Sequence, residues 1–120
     1  MNLFQQGEFR LHSGGFSRWK IDCDALTDDD LATLAKLAAV RITKTFGKII
    51  GIPSGGLRFA HALTPYITSG SAITLIVDDV LTTGESMRAV RNKNPDSWGL
   101  VIFARQEPPS WINALFVMGL

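Results

Sequence analysis

Two segments, ITLIVD at 73–78 and LVIFAR at 100–105, are apolar at successive positions rather than at alternate ones. A strand with one wet face alternates, whereas a strand written this way is covered on both faces, as in a parallel sheet between helices. The stretch that joins them, GESMRAVRNK, reads as a helix. Upstream, KIIGIP at 48–53 is a short apolar strand, and GGLRFAHAL at 55–63 resumes as a helix after a glycine turn. Residues 27–46 predict a longer helix. Thr27 is placed to cap it with Asp30 three positions on, acids crowd its positive end, and Leu31, Leu34, Leu37, Ala38 and Ile42 recur at helical spacing until Gly47. ALFVM at 114–118 offers a last strand. Strand and helix alternate, which predicts an α/β fold with a small, mostly parallel sheet flanked by helices. No repeat, low-complexity tract or linker divides the 120 residues, so a single domain spans 1–120, with 1–26 as an added segment within it.

Charge and cysteine content exclude several function classes. The formal net charge is +1 with both signs scattered, so no basic face is expected for a nucleic-acid polymer, and any anionic ligand needs a local site. The one cysteine, Cys23, has no partner for an intramolecular disulfide and no companions for a zinc set; it is expected to be a small buried filler in a cytoplasmic protein. No apolar run approaches the ~20 residues of a membrane span, so no membrane contact is expected. Trp98, Phe103, Trp111 and Phe116 are expected in the core, and His61 is expected to be packed or exposed rather than catalytic.

The chemistry concentrates in TLIVDDVLTTGES, 74–86. In a parallel sheet, ligands bind beyond the carboxyl ends of the strands. There Thr82, Thr83, Gly84, Glu85 and Ser86 lie where a strand turns into a helix, so backbone amides and hydroxyls converge on one anion at the helix's positive end. The GK[ST] lysine of a Walker loop is absent. Asp78 and Asp79, just upstream, suit a vicinal diol or an indirectly held Mg²⁺. Phosphate beside diol points to a ribose 5-phosphate. The turn Pro53-Ser54-Gly55-Gly56, at the mouth of the preceding strand and with Arg58 behind it, offers a second anion cradle. LIVDD also opens response-regulator receivers, but those carry the acids at their first strand, and here they lie past the middle of the chain.

LIVDDVLTTGES resembles the phosphoribosyl-pyrophosphate motif of type I phosphoribosyltransferases. GIPSGG at 51–56 is similar to that family's pyrophosphate loop, and GEFRLHSGGFSRWKID at 7–22 to the opening of its orotate branch. The resemblance implies a type I core whose N-terminal segment forms a hood over the base. Asp78 and Asp79 would meet the ribose hydroxyls and an indirectly held Mg²⁺. Thr82, Thr83, Gly84, Glu85 and Ser86 would wrap the 5-phosphate, while Ser54, Gly55, Gly56 and Arg58 would meet the pyrophosphate. In the hood, His12, Trp19 and Lys20 stand where base recognition is expected, with Arg105 a surface arginine in reach of the same pocket. The implied partners are phosphoribosyl pyrophosphate and a nitrogenous base, in a homodimer. Purine-salvage members place a third acid where Thr82 stands. Orotate enzymes have a lysine in place of His12 and an aromatic pair in place of Lys20 and Ile21, so orotate itself is expected to be a poor substrate. The family's long basic lid loop is reduced to TPYITSGSA, 64–72. Two functions fit: transfer of 5-phosphoribosyl to a base, or a non-catalytic module that binds the same donor.

Overall fold

The computed structural model describes residues 2–10 and 15–118. The core is a four-stranded sheet in the order β3-β4-β5-β6, formed by Lys48–Gly51, Thr74–Leu81, Ser97–Ala104 and Ile112–Val117. All three pairings are parallel. Ahead of it, β1 (Phe4–Arg10) and β2 (Phe16–Ile21) form a separate antiparallel hairpin, the hood.

Successive apolar residues on β4 and β5 supply two cores at once. Leu75, Val77, Leu100 and Ile102 pack beneath α1 (Asp28–Arg41) and α2 (Leu57–Leu63), meeting Leu31, Ala35, Ala38, Phe59 and Leu63. Ile76, Val101 and Ile112 face the other way, onto Met87 of α3 (Glu85–Asn92). On this second face the chain returns from β5 to β6 through residues 105–111, ending in Trp111. Trp111 packs into that cluster beneath the Arg91 guanidinium, 4.5 Å from its ring.

Helix α1 starts as expected: the Thr27 hydroxyl accepts from the Asp30 amide at 3.0 Å and the Asp30 carboxylate accepts from the Thr27 amide at 2.8 Å. It ends earlier than the periodicity predicts. Ile42 is already extended (φ −104°, ψ 122°), and residues 42–46 run unwound to β3. Ile42, Thr43 and Thr45 are β-branched and pay little to leave a helix. Leaving it lets Phe46 bury its ring edge-on to Trp98 at 6.0 Å. The expectation for Phe116 is also corrected: it sits on edge strand β6, 41% exposed, stacked on Phe103 at 5.5 Å. Trp98 and Phe103 are buried as expected. No helix among the described residues is long and apolar enough to cross a membrane.

Candidate active site

Strand β4 does not stop at its first aspartate; it runs through Asp78 and Asp79 to Leu81. Carboxylates inside a strand stay ordered here because each accepts the amide that follows it. Asp78 Oδ1 takes the Asp79 N–H at 2.8 Å, and Asp79 Oδ1 takes the Val80 N–H at 2.7 Å. This local capping interrupts the pleat. Val77 and Val80, three residues apart, therefore pack on the same cluster, where strict alternation would put them on opposite faces.

Burial drives the Asp78 carboxyl from 3.8 up to about 7. The Asp79 side chain adds to this by sharing a hydrogen bond and by its charge, against a lowering by the Asp79 amide. Among the described residues the one ion pair is Arg58 with Asp28, so neither carboxylate of β4 has a cation beside it.

The turn after β3 is fitted to Asp79. A Cβ on Gly55 would overlap the Asp79 carboxylate, lying 2.8 Å from its Cγ, and one on Gly56 would run into the carbonyl of Val77. Only glycine lets this turn lie against β4. Its amides are partly spoken for: Gly56 N–H donates to the Ile52 carbonyl at 2.8 Å, and Leu57 N–H to that of Ser54 at 3.2 Å.

Beyond β4, Gly84 takes the left-handed conformation (φ 79°) and starts α3 without a side-chain cap. Of the first-turn amides of α3, that of Glu85 donates to Thr83 Oγ1 at 3.4 Å, and those of Ser86 and Met87 have no intrahelical acceptor. Thr82, Thr83, Gly84, Glu85 and Ser86 line a cavity of about 100 Å³ with Asp78 and Met87, of a size for a single tetrahedral anion.

Next to it, a cleft of about 450 Å³ joins the two turns: Ser54 and Gly55 on one side, Thr82 and Ser86 on the other, Asp78 and Asp79 between them. Its remaining wall comes from the hood and from the residue just after β5, with Phe9, Arg10, Lys20 and Arg105. Lys20 sits over the Phe9 ring at 4.8 Å. Cys23 lies in the floor, its thiol pushed up to about 12 by burial first and then by the charges of Asp79, Asp22, Asp24 and Asp78.

The other expected residues are not in this cleft. Trp19 turns away from Lys20, as neighbours on a strand must. It lines a groove with Phe4, Gln5, Gln6 and Met118 beneath the Arg105 guanidinium, 3.6 Å away. Arg58 lies in a smaller pocket beside Gly55 and Asp79, its guanidinium held by Asp28 at 3.1 Å and the Leu26 carbonyl at 2.9 Å. His12 lies outside the described residues. His61 is exposed on α2. Phe9 and Arg10 lie in the 7–22 segment that carries the resemblance, but only the hairpin register shows which hood residues face inward.

A parallel sheet with helices on both faces, glycine-containing turns at the carboxyl ends of β3 and β4 and an N-terminal hairpin hood define the fold of the type I phosphoribosyltransferases. Within that class the architecture is the orotate-type one. The structure is similar to orotate phosphoribosyltransferase from Aeropyrum pernix (TM-score 0.76, 20% identity, 97% of this chain and 89% of that one). It is also similar to Leishmania donovani UMP synthase (TM-score 0.77, 19% identity, 97% of this chain but only 34% of that longer one). A third match is Mycobacterium tuberculosis H37Rv orotate phosphoribosyltransferase in complex with Fe(III) dicitrate (TM-score 0.69, 15% identity, 98% and 92%). No protein-family model matches the sequence, and no curated protein matches it either.

Proposed function

We propose that this protein transfers the 5-phosphoribosyl group of phosphoribosyl pyrophosphate to a nitrogenous base, releasing pyrophosphate. The observation that carries this reading is the single cleft joining Ser54–Gly55 and Thr82–Ser86 across the Asp78–Asp79 pair. That spacing matches a donor with anions at both ends and a diol between them. In this reading the 82–86 loop and the start of α3 hold the 5-phosphate through backbone amides, the 54–56 turn meets the pyrophosphate, and Asp78 and Asp79 accept from the ribose hydroxyls. Transfer passes through an oxocarbenium-like state, and fixed carboxylates beside the ring stabilise its positive charge without reorganising. The incoming base enters under the hood, where Lys20 and Arg10 favour an acidic heterocycle.

Mg²⁺ fits this site as an ion shared with the ligand. Asp78 and Asp79 offer hard oxygens without a competing cation, but no third donor accompanies them among the described residues. Donor phosphate and hydroxyl oxygens would complete the set. When bound, the ion neutralises charge on the departing pyrophosphate.

One feature favours the alternative, a module that binds the donor without turning it over. The 64–72 connection is a 3₁₀ turn (Thr64–Tyr66) followed by a segment fastened at the start of β3. The Thr68 amide donates to the Phe46 carbonyl at 2.8 Å, and the Thr45 and Ser71 hydroxyls meet at 3.3 Å. That is the amino edge of the sheet, opposite the cleft, so this connection does not shield the reaction. Incubation with donor, Mg²⁺ and a panel of bases, following pyrophosphate release, separates the readings: base-dependent release supports transfer, and donor binding without release supports the module.

A further inference from the structure

Gly84 makes the peptide before it reversible. It stands at φ 79°, ψ 9°, the values a glycine takes at the second central position of a type II turn. Turning the Thr83–Gly84 peptide over gives the type I values instead, and glycine accepts either sign of φ. The loop sequence alone therefore leaves two orientations open.

For an anion the two are not equivalent. In a trans peptide the carbonyl and the following N–H point in opposite directions, so the facing of the Thr83 carbonyl decides where the Gly84 N–H is aimed. Arg88, one turn into α3, holds that carbonyl: its Nη2 donates to it at 3.2 Å. The same nitrogen lies 3.5 Å from where a Cβ on Gly84 would stand. Arg88 does not line the cavity of about 100 Å³ that residues 82–86 enclose with Asp78 and Met87. The carbonyl is thus drawn to the outside of the loop, and the Gly84 N–H is turned toward the cavity. Among the described residues that N–H has no protein acceptor. The Arg88 amide in turn donates to the Gly84 carbonyl at 2.9 Å. One residue therefore fixes both peptides that flank Gly84.

We propose that Arg88 is a positioning residue for the anion loop: from outside the cavity it keeps the 83–84 peptide turned so that the Gly84 N–H faces the ligand. That a 5-phosphate receives this N–H rests on the transferase reading; the peptide orientation does not.

Nuclear magnetic resonance on the ligand-free full chain tests the orientation. Two Overhauser effects, from Thr83 Hα and from the Thr83 N–H to the Gly84 N–H, report by their ratio which way the peptide faces. Arg88→Met keeps the stem and removes the donors. Because Arg88 is exposed, this variant is expected to fold with a melting temperature close to wild type. The ratio is expected to change at least about twofold. Kd for ribose 5-phosphate, which probes this loop without the pyrophosphate turn, is expected to rise about fivefold, since only loops in the right orientation bind. The rise should persist at about 0.5 M salt, where the pull of a distant cation is screened. Arg88→Lys, which can still donate to the carbonyl, is expected to recover part of both effects. KM for the donor should rise in parallel while KM for the base stays within about twofold. An unchanged ratio overturns the proposal. So does weaker binding with an unchanged ratio, since Arg88 would then act by charge or direct contact, and so does a changed ratio with wild-type affinity for ribose 5-phosphate. A changed ratio in a protein whose wild type binds neither ribose 5-phosphate nor the donor supports the hold on the peptide and counts against the transferase reading alone.

Discussion

Asp78→Asn should make the protein more stable and a poorer binder, by an amount that depends on pH in a defined way. Folding moves the Asp78 carboxyl from 3.8 to about 7. Between about pH 4 and pH 7 the folded chain therefore keeps a proton that the unfolded chain has released, and wild-type stability falls as pH rises through that window. Above about pH 7 both states are ionised and the loss is complete. Asparagine carries no charge at any of these pH values, and its Oδ1 can still accept the Asp79 amide that Asp78 accepts at 2.8 Å. The interval from 3.8 to about 7 sets a ceiling of about 4 kcal/mol, at about 1.4 kcal/mol per pH unit. One side of the carboxyl faces the open cleft, so solvent screening brings the gain to about 1–2 kcal/mol. For a chain of this length that is a rise of about 4–8 °C in melting temperature. Denaturant unfolding of wild type and Asp78→Asn from about pH 4 to pH 8 checks this. The two should coincide at the acid end, diverge through the window and run parallel above it. An Asp78→Asn protein no more stable than wild type at pH 8, or a constant offset across the range, would refute the reasoning. Donor-induced stabilisation should shrink in the same variant, because the proposed diol acceptor is gone.

Gly55→Ala should abolish most donor binding and cost about 1–3 kcal/mol, since its methyl group overlaps the Asp79 carboxylate; a wild-type melting shift with donor would show that the turn yields freely. Asp28→Ala should change stability by less than about 1 kcal/mol, the Arg58–Asp28 pair being exposed (44% and 97%), and should tighten donor binding by releasing Arg58. Titration calorimetry showing no gain would remove Arg58 from the proposed pyrophosphate site. Lys20→Ala should raise KM for an acidic base with little change for a neutral one, and steady-state assays on both kinds of base distinguish this from a general loss. Single-turnover transfer should be slow at low protein concentration and faster where copies associate, because the 64–72 connection leaves the cleft open; fast transfer by a monomer in parallel sedimentation runs would contradict it.

The parts of the fold written in local patterns were legible before the structure. The doubly covered strands follow from apolar residues at successive positions in 75–77 and 100–104, and the start of α1 from a reciprocal cap that spans only Thr27 to Asp30. The two turns that border the cleft could be placed because glycine and hydroxyl residues follow directly on strands. What escaped depends on distance or on register. Helix α1 ends at Arg41 because Phe46 must reach Trp98, a demand invisible to periodicity. The strand through Asp78 and Asp79 looked finished, since paired acids read as a strand's end until their hydrogen bonds to the next amides are known. Trp19 and Lys20 look interchangeable as hood residues in the sequence, and only the pairing of β2 with β1 sends one to the cleft and the other beneath Arg105, a residue 86 positions away.

Cys23 bears on how the protein withstands oxidants. With its thiol pushed up to about 12 in the cleft floor, it holds almost no thiolate at neutral pH, and thiolate is the form that peroxide, disulfides and alkylating reagents attack. The negative field of four aspartates that suppresses ionisation also disfavours anionic reagents such as Ellman's reagent. The only thiol of the chain is thus a reporter of unfolding, silent while the cleft floor is intact and reactive once it opens. Its chemistry carries no preference for a reducing or an oxidising compartment.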